Sequence, residues 1–167
     1  MKIYLAGSVP KGEAELKNFV DWRIKYQQTL KNIFDAEYVD PFNRILDESD
    51  YQAIVGNDCR HIKNCDLIII NAENQIGAGT AQEMIIAKYF TKPVISVIPK
   101  NSYHRRANLT IHNQLIADWI HPFIFTFSDF IIESIEGIVT LKDKVFSAKI
   151  KNINIIDEAV KYRDQIE

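Results

Sequence analysis

The stretch from Asn57 to Pro99, NDCRHIKNCDLIIINAENQIGAGTAQEMIIAKYFTKPVISVIP, decides the fold. It reads as helix, buried strand, glycine-rich loop, helix, buried strand. Leu67-Ile68-Ile69-Ile70 shows no alternation of apolar and polar residues, the mark of a strand covered on both faces. Pro93 to Ile98 is a second, largely apolar strand. Between them Gly77-Ala78-Gly79-Thr80-Ala81-Gln82-Glu83 is a loop that turns into a helix with a carboxylate in its first turn. Gly77 and Gly79 allow positive φ and close backbone approach, and the helix start offers N–H groups to an anion. Two readings of Glu83 stand open. It acts on a small ligand, or Thr80-x-x-Glu83 is a capping box that satisfies orphan N–H groups.

Working outward, Ile3-Tyr4-Leu5-Ala6 is a first buried strand ended by Gly7-Ser8. Val9 to Gly12 is a tight loop, and Glu13 to about Phe34 is read as one amphipathic helix, with Leu16, Phe19, Val20, Ile24, Leu30 and Ile33 at helical intervals. Ala36 to Val39 forms strand two, with Asp40 at its end and Asp40 to Arg44 as a loop. Residues 45–56 are acidic, either a short helix or a flap, and Asn57 or Asp58 caps a helix to Asn64. After the central stretch, residues 100–119 carry a basic cluster, His104-Arg105-Arg106, and a helical piece through Leu115 and Trp119. Pro122 to Phe127 is read as the fifth strand, Asp129 to Leu141 as a helix, and Ile155 to Ile166 as a C-terminal helix.

Strands alternating with helices imply right-handed crossovers and a parallel sheet. The expected architecture is an α/β, flavodoxin-like (Rossmann-like) three-layer sandwich with a five-stranded parallel sheet in the order 2-1-3-4-5. Ligands then bind at the carboxyl ends of the strands near the switch point. Residues 1–141 are expected to form the catalytic domain, with 142–167 a helical extension packed on it. The 167 residues, 47% hydrophobic and 25% charged, are typical of a globular chain. A net charge of -2 argues against binding polymeric nucleic acid, which needs a marked basic excess. Cys59 and Cys65 suit neither a zinc cage nor a disulfide framework. No apolar run approaches the length of a membrane span, and Met1-Lys2 leads straight into a strand. The expectation is a cytoplasmic protein with no membrane partner.

Two nucleotide motifs are absent. The third glycine of G-x-G-x-x-G is replaced by Gln82, and no lysine follows Gly79 as a P-loop requires. His61, His104, His112 and His121 show no triad or metal-ligand spacing and are read as surface or structural. Trp22 is read as packing; Phe42 is a candidate to stack on a base.

Taken together, Ile3-Tyr4-Leu5-Ala6-Gly7-Ser8, Asp58 eight residues before Asp66, Cys65-Asp66-Leu67-Ile68-Ile69, Gly79-Thr80-x-x-Glu83 and Lys92-Pro93-Val94 resemble the nucleoside 2-deoxyribosyltransferase family. That superfamily also includes 2'-deoxynucleoside 5'-phosphate N-hydrolases. The resemblance covers residues 2–98 and fades after residue 100. It implies a homodimer or higher homo-oligomer acting on a small-molecule nucleoside or nucleotide, with no metal and no cofactor. It also implies roles: Glu83 the nucleophile, Asp58 the acid assisting the leaving base, and Tyr4 the hydrogen-bond partner of the catalytic carboxylate. Gly7, Ser8, Lys11, Asp40, Phe42, Gly77 and Gly79 are the candidate substrate-binding residues, and Lys11 or Arg105 can pair a 5'-phosphate.

One departure stands out. Six residues before the glutamate, where the transferases commonly place an aspartate and the nucleotide hydrolases a serine, this chain has Gly77. Each candidate also has a structural reading: Tyr4 a core aromatic, Asp58 an N-cap. The alternative function is a non-catalytic nucleotide or nucleotide-sugar binding module on the same fold. Convergence of Tyr4, Asp58 and Glu83 at one place separates the two.

Overall fold

The apolar runs at Leu67–Ile70 and Val94–Ile98 form the centre of the protein. We describe a computed structural model covering residues 1–42 and 46–166. Strands β1 (Lys2–Ala6), β2 (Glu37–Val39), β3 (Leu67–Asn71), β4 (Val94–Val97) and β7 (Phe130–Ile132) make one parallel sheet in the order β2-β1-β3-β4-β7. This is the expected order with β7 as its fifth strand.

The period-2 geometry of a strand sorts the core into two layers. Ile3, Leu5, Leu67, Ile69, Ile95 and Val97 pack against α2 (Trp22–Lys31) and the 3-10 turn at Ile135–Leu141. Tyr4, Ala6, Ile68, Ile70 and Val94 face the other way, onto α3 (Tyr51–Asn64), α4 (Ala78–Tyr89) and α5 (Pro122–Phe127). Parity therefore places Tyr4 under the two helices that carry Asp58 and Glu83.

Several elements differ from the sequence reading, each for a local reason. The single helix expected from Glu13 to Phe34 is two: α1 (Glu13–Leu16) and α2. Asp21 starts the second by capping it, its side chain accepting the Arg23 N–H at 3.1 Å. The expected apolar stripe holds at Leu30, which is buried, but Leu16, Val20 and Ile24 are exposed while Arg23 and Tyr26 are buried. Helix α3 starts six residues before Asn57, capped by Asp50, which accepts from Ala53 N at 2.9 Å. Asp58 therefore lies mid-helix and is not a cap. The acidic stretch is helical from Tyr51, while Asn43, Arg44 and Ile45 lie outside the described residues.

The expected helix within 100–119 is an antiparallel hairpin, β5 (Arg105–Ile111) and β6 (Gln114–Ile120). Its two-residue turn, His112-Asn113, has positive φ at both positions, the requirement of a primed hairpin turn. Pro122 to Phe127 is a helix rather than a strand, since Pro122 occupies a first-turn position where its missing N–H costs nothing. The fifth strand instead comes from Phe130–Ile132, inside the expected helix, whose remainder is the 3-10 turn. Helix α6 (Ile155–Gln165) ends the described chain, and among the described residues no helix is long and apolar enough to cross a membrane.

Helix α4 is anchored at its C-terminal half by a buried ion pair between Lys88 and Asp129. Asp129 Oδ2 also accepts the Val94 N–H at 2.8 Å, its own N–H donates to Val94 O at 2.9 Å, and its Oδ1 accepts from Lys151 N at 2.9 Å. One aspartate thus ties α4, β4 and the C-terminal segment together. Burial pulls the Lys88 pKa down and Asp129 opposes that shift. Removing one partner of such a pair strands the other charge in the core. We expect Lys88→Met to destabilise the protein by about 3 kcal/mol, measured by urea unfolding at neutral pH.

Candidate functional site

Tyr4 sits in the middle of β1, between β2 and β3, and is fully buried. Its hydroxyl donates to Glu83 Oε1 at 2.6 Å, from a residue 79 positions away in the sequence. Glu83 and Asp58 are both partly exposed. Burial raises the Tyr4 pKa most, followed by the charges of Glu83 and then Asp58, whereas Arg23 lowers it. The phenol is therefore held protonated, a fixed donor, and both carboxylates lie within electrostatic reach of it. Tyr4 and Glu83 meet directly, and the charge of Asp58 acts on the same phenol.

The helix start explains how Glu83 comes free of a capping role. Helix α4 begins at Ala78 with Gly77 as its N-cap, and no side chain caps it. Thr80 is thus inside the helix and buried, and Glu83 is in the second turn rather than the first. The capping box does not form. Nor do the glycines use conformational freedom: Gly77 has φ -82°, and Gly12 is the only described glycine with positive φ. A Cβ added at Gly77 or Gly79 meets nothing within 4 Å, so these positions supply room.

The remaining candidates divide. Gly7 is needed for close approach, because a Cβ there would stand 2.6 Å from the Trp22 ring and 3.1 Å from Asn71 Cβ. The Trp22 indole N–H donates to Ser8 O at 3.1 Å, so Trp22 braces the loop after β1, as a packing residue should. Ser8 and Lys11 are exposed on that loop, and Lys11 N donates to Glu15 Oε2 at 2.8 Å. Asp40 is committed to protein contacts: Oδ1 lies 2.9 Å from Arg23 Nε and accepts from Phe42 N at 2.8 Å. Phe42 packs edge-on against Phe19 with ring centroids 5.9 Å apart. Arg105 is not available for a phosphate, since its guanidinium grips Asp118 with Nε at 2.8 Å and Nη2 at 2.6 Å.

Sequence reading missed Arg23 and the pair His104 and His121. Arg23 is fully buried, with Nη1 3.3 Å from Asp21 and its guanidinium carbon 4.4 Å from the Trp22 ring centroid. An arginine in an exposed-looking helix gives no local sign of this. Its two aspartate neighbours, at 21 and 40, were the available signal. His104 is buried and accepts the Ile76 N–H through Nε2 at 3.0 Å. The cleft it lines, about 340 Å³, lies on the far flank of α4 from Glu83. Tyr4 and Glu83 are brought together by their direct contact and not by a shared concavity. Among the described residues no three His, Cys, Asp or Glu side chains gather as a metal would need.

No protein-family model matches the chain, and no curated protein matches it by sequence. Solved structures do. A 2-deoxyribosyltransferase from Bacillus psychrosaccharolyticus is similar over 91% of this chain and 98% of that one, with TM-score 0.56 and 20% identity. A 2-desoxiribosyltransferase from Leishmania mexicana is similar over 86% of this chain and 97% of that one, with TM-score 0.60 and 15% identity. What they share with this chain is the fold. It spans almost their full length.

The raised tyrosines have a consequence for stability. In an unfolded chain tyrosine ionises near pH 10. Above that pH the unfolded chain releases protons that folded Tyr4, Tyr26 and Tyr38 retain, so folding stability falls as pH rises. Tyr4→Phe should reduce this alkaline slope by about 1.4 kcal/mol per pH unit above roughly pH 10, read from urea unfolding midpoints at stepped pH.

Proposed function

We propose that this chain belongs to the nucleoside 2-deoxyribosyltransferase family in the broad sense. It cleaves or transfers the N-glycosidic bond of a (deoxy)nucleoside or nucleoside 5'-monophosphate through a covalent glycosyl-glutamate. The observation that carries the reading is the 2.6 Å contact from the buried Tyr4 hydroxyl to Glu83, with Asp58 close enough to act on the same phenol. A solvated surface glutamate has no need of such a partner. The fold shared with two deoxyribosyltransferases supports the reading by analogy.

In this mechanism one Glu83 oxygen accepts the Tyr4 hydrogen bond, which fixes the carboxylate while the other oxygen attacks C1' of the sugar. The C1'–N bond breaks, its electron pair leaves with the base, and Asp58 delivers the proton that neutralises it. Splitting one hard displacement into two is the advantage of a covalent intermediate. A second base, or water, then attacks C1' from the vacated face, Asp58 takes up the proton, and Glu83 is released. Two inversions give net retention, as in retaining glycosidases. Glu83 must enter the cycle ionised and Asp58 protonated, a division of labour that two differently placed carboxyl groups can support.

The loop residues Gly7, Ser8 and Lys11 and the open space at Gly77 and Gly79 are assigned to substrate. The exposed Lys11 and Ser8 are suited to a 5'-phosphate. Asp40 and Phe42, held by Arg23 and Phe19, shape the wall. The reading includes a homodimer or higher oligomer.

Incubation with the deoxynucleosides and their monophosphates, with and without a free acceptor base, followed by chromatography, tests the proposal. Release of base, or its exchange, is expected, with Glu83→Gln reducing turnover by at least roughly 10³-fold. A wild-type protein that leaves every substrate intact sinks the idea. Asp58→Asn should slow ordinary substrates by about 10²- to 10⁴-fold but far less those with a cationic base such as 7-methylguanine, which departs without a proton. It should also remove the alkaline limb of the pH–rate profile.

A further inference from the structure

We propose that α6 is a self-association face: two copies of this chain pair their α6 helices antiparallel, each lying along the groove between α5 and α6 of the other. The inference gives the oligomer a face, and it does not depend on the chemistry read at Glu83.

Helix α6 is fixed at its base and uncovered along its length. Lys151, four residues before its start, donates its backbone N–H to Asp129 Oδ1 at 2.9 Å. Its Nζ donates to Ser128 O at 2.6 Å and to Thr126 O at 3.1 Å, at the end of α5. That anchor sets where α6 begins. Beyond it the helix fully buries none of its residues, and only Ile155 is half-buried. A helix of this length is marginal in water without packing. Yet the sequence is amphipathic: Ile155, Ile156, Ala159, Val160, Tyr162 and Ile166 share one side, and Asp157, Lys161 and Asp164 the other.

The groove beside it is apolar. Its volume is about 450 Å³, with Phe123, Thr126 and Phe127 of α5 on one wall and Ile156, Ala159 and Val160 of α6 on the other. Phe123 and Val160 are more than half exposed. Phe123 and Phe127 also line the cleft beside α4, so the apolar surface runs on past the groove. An uncovered apolar surface of this kind marks an interaction site. The exposed parts of Phe123, Ile156, Val160, Tyr162 and Ile166 amount to roughly 500 Å², against about 800 Å² that a standard interface takes from each partner. A polar rim supplies the remainder.

The charges identify the occupant. Asp157 and Glu158 make the first turn of α6 acidic, while Lys161 and Arg163 outweigh Asp164 in its second half. Antiparallel pairing sets each acidic end against the partner's basic half and opposes the two helix dipoles; parallel pairing does neither. The helix is thus complementary to itself, as a two-fold contact requires. Three acidic and two basic residues are the reverse of the Lys/Arg-rich helix that an anionic membrane selects.

Sedimentation equilibrium of the intact protein, with native mass spectrometry, tests the face. We expect a dimer whose dissociation constant rises at least about 30-fold in Val160→Glu. Val160 is exposed in the single chain, so circular dichroism and the urea midpoint of the monomer should not change. Two charge variants check the direction of pairing: Asp157→Lys with Glu158→Lys, and Lys161→Glu with Arg163→Glu. Each alone should be monomeric where wild type is dimeric, and their equimolar mixture should form a one-to-one dimer. The proposal is overturned by a wild type that stays monomeric to about 100 μM, by a dimer untouched by Val160→Glu, or by a mixture that does not associate. Binding of monomeric wild type to phosphatidylserine vesicles through α6 would overturn it in favour of a lipid surface.

Discussion

Helix α4, which carries Glu83, is held against the sheet at a fixed height and rotation, and a buried ion pair does much of that holding. Lys88, five residues beyond Glu83, is locked to Asp129 beneath α4. Asp129 in turn matches both backbone groups of Val94 at the start of β4. Hydrophobic contacts from Met84 and Ala87 are non-directional and would tolerate a small rotation or slide of the helix. The charge pair does not, because any shift leaves ionised groups unmatched in the core. The 2.6 Å Tyr4–Glu83 contact, one turn earlier, follows from that constraint as much as from its own attraction.

The two flanks of α4 then differ in chemistry. Toward α3 the helix offers Glu83, next to a phenol held protonated and in company with Asp58. Toward α5 it offers small and apolar residues, facing two histidines and exposed aromatics. One helix separates an acidic flank from an uncharged one. Gly77, at the head of the helix, contributes no side chain to either, and the space it leaves is open.

Much of this was legible in the sequence, and for physical reasons. Leu67–Ile70 and Val94–Val97 have no polar face, which fixes them as central strands, and the parity of β1 puts Tyr4 on the side of α3 and α4. What failed was the region where one short apolar run fits two structures. Pro-Phe-Ile-Phe-Thr-Phe at 122–127 has strand-favouring composition, yet a first-turn proline and burial of Ile124 and Phe127 on one face make it helical. The hairpin turn at His112-Asn113 contains no glycine, so the usual signal for positive φ was missing. Arg23 and His104 were hard to read because their burial depends on distant partners: Asp40 after β2 for one, Ile76 before α4 for the other.

The packing of Trp22 has a use beyond holding a loop. Of the two tryptophans in the chain, Trp22 lies against Gly7 with Arg23 over its ring, while Trp119 sits on the outlying hairpin beside His121. Each indole thus has its own surroundings, one under a stacked cation and the other at the edge of an imidazole. The protein carries two intrinsic fluorophores whose emission is coupled to separate regions. With Trp119 replaced by phenylalanine, the remaining light reports on the loop after β1 alone.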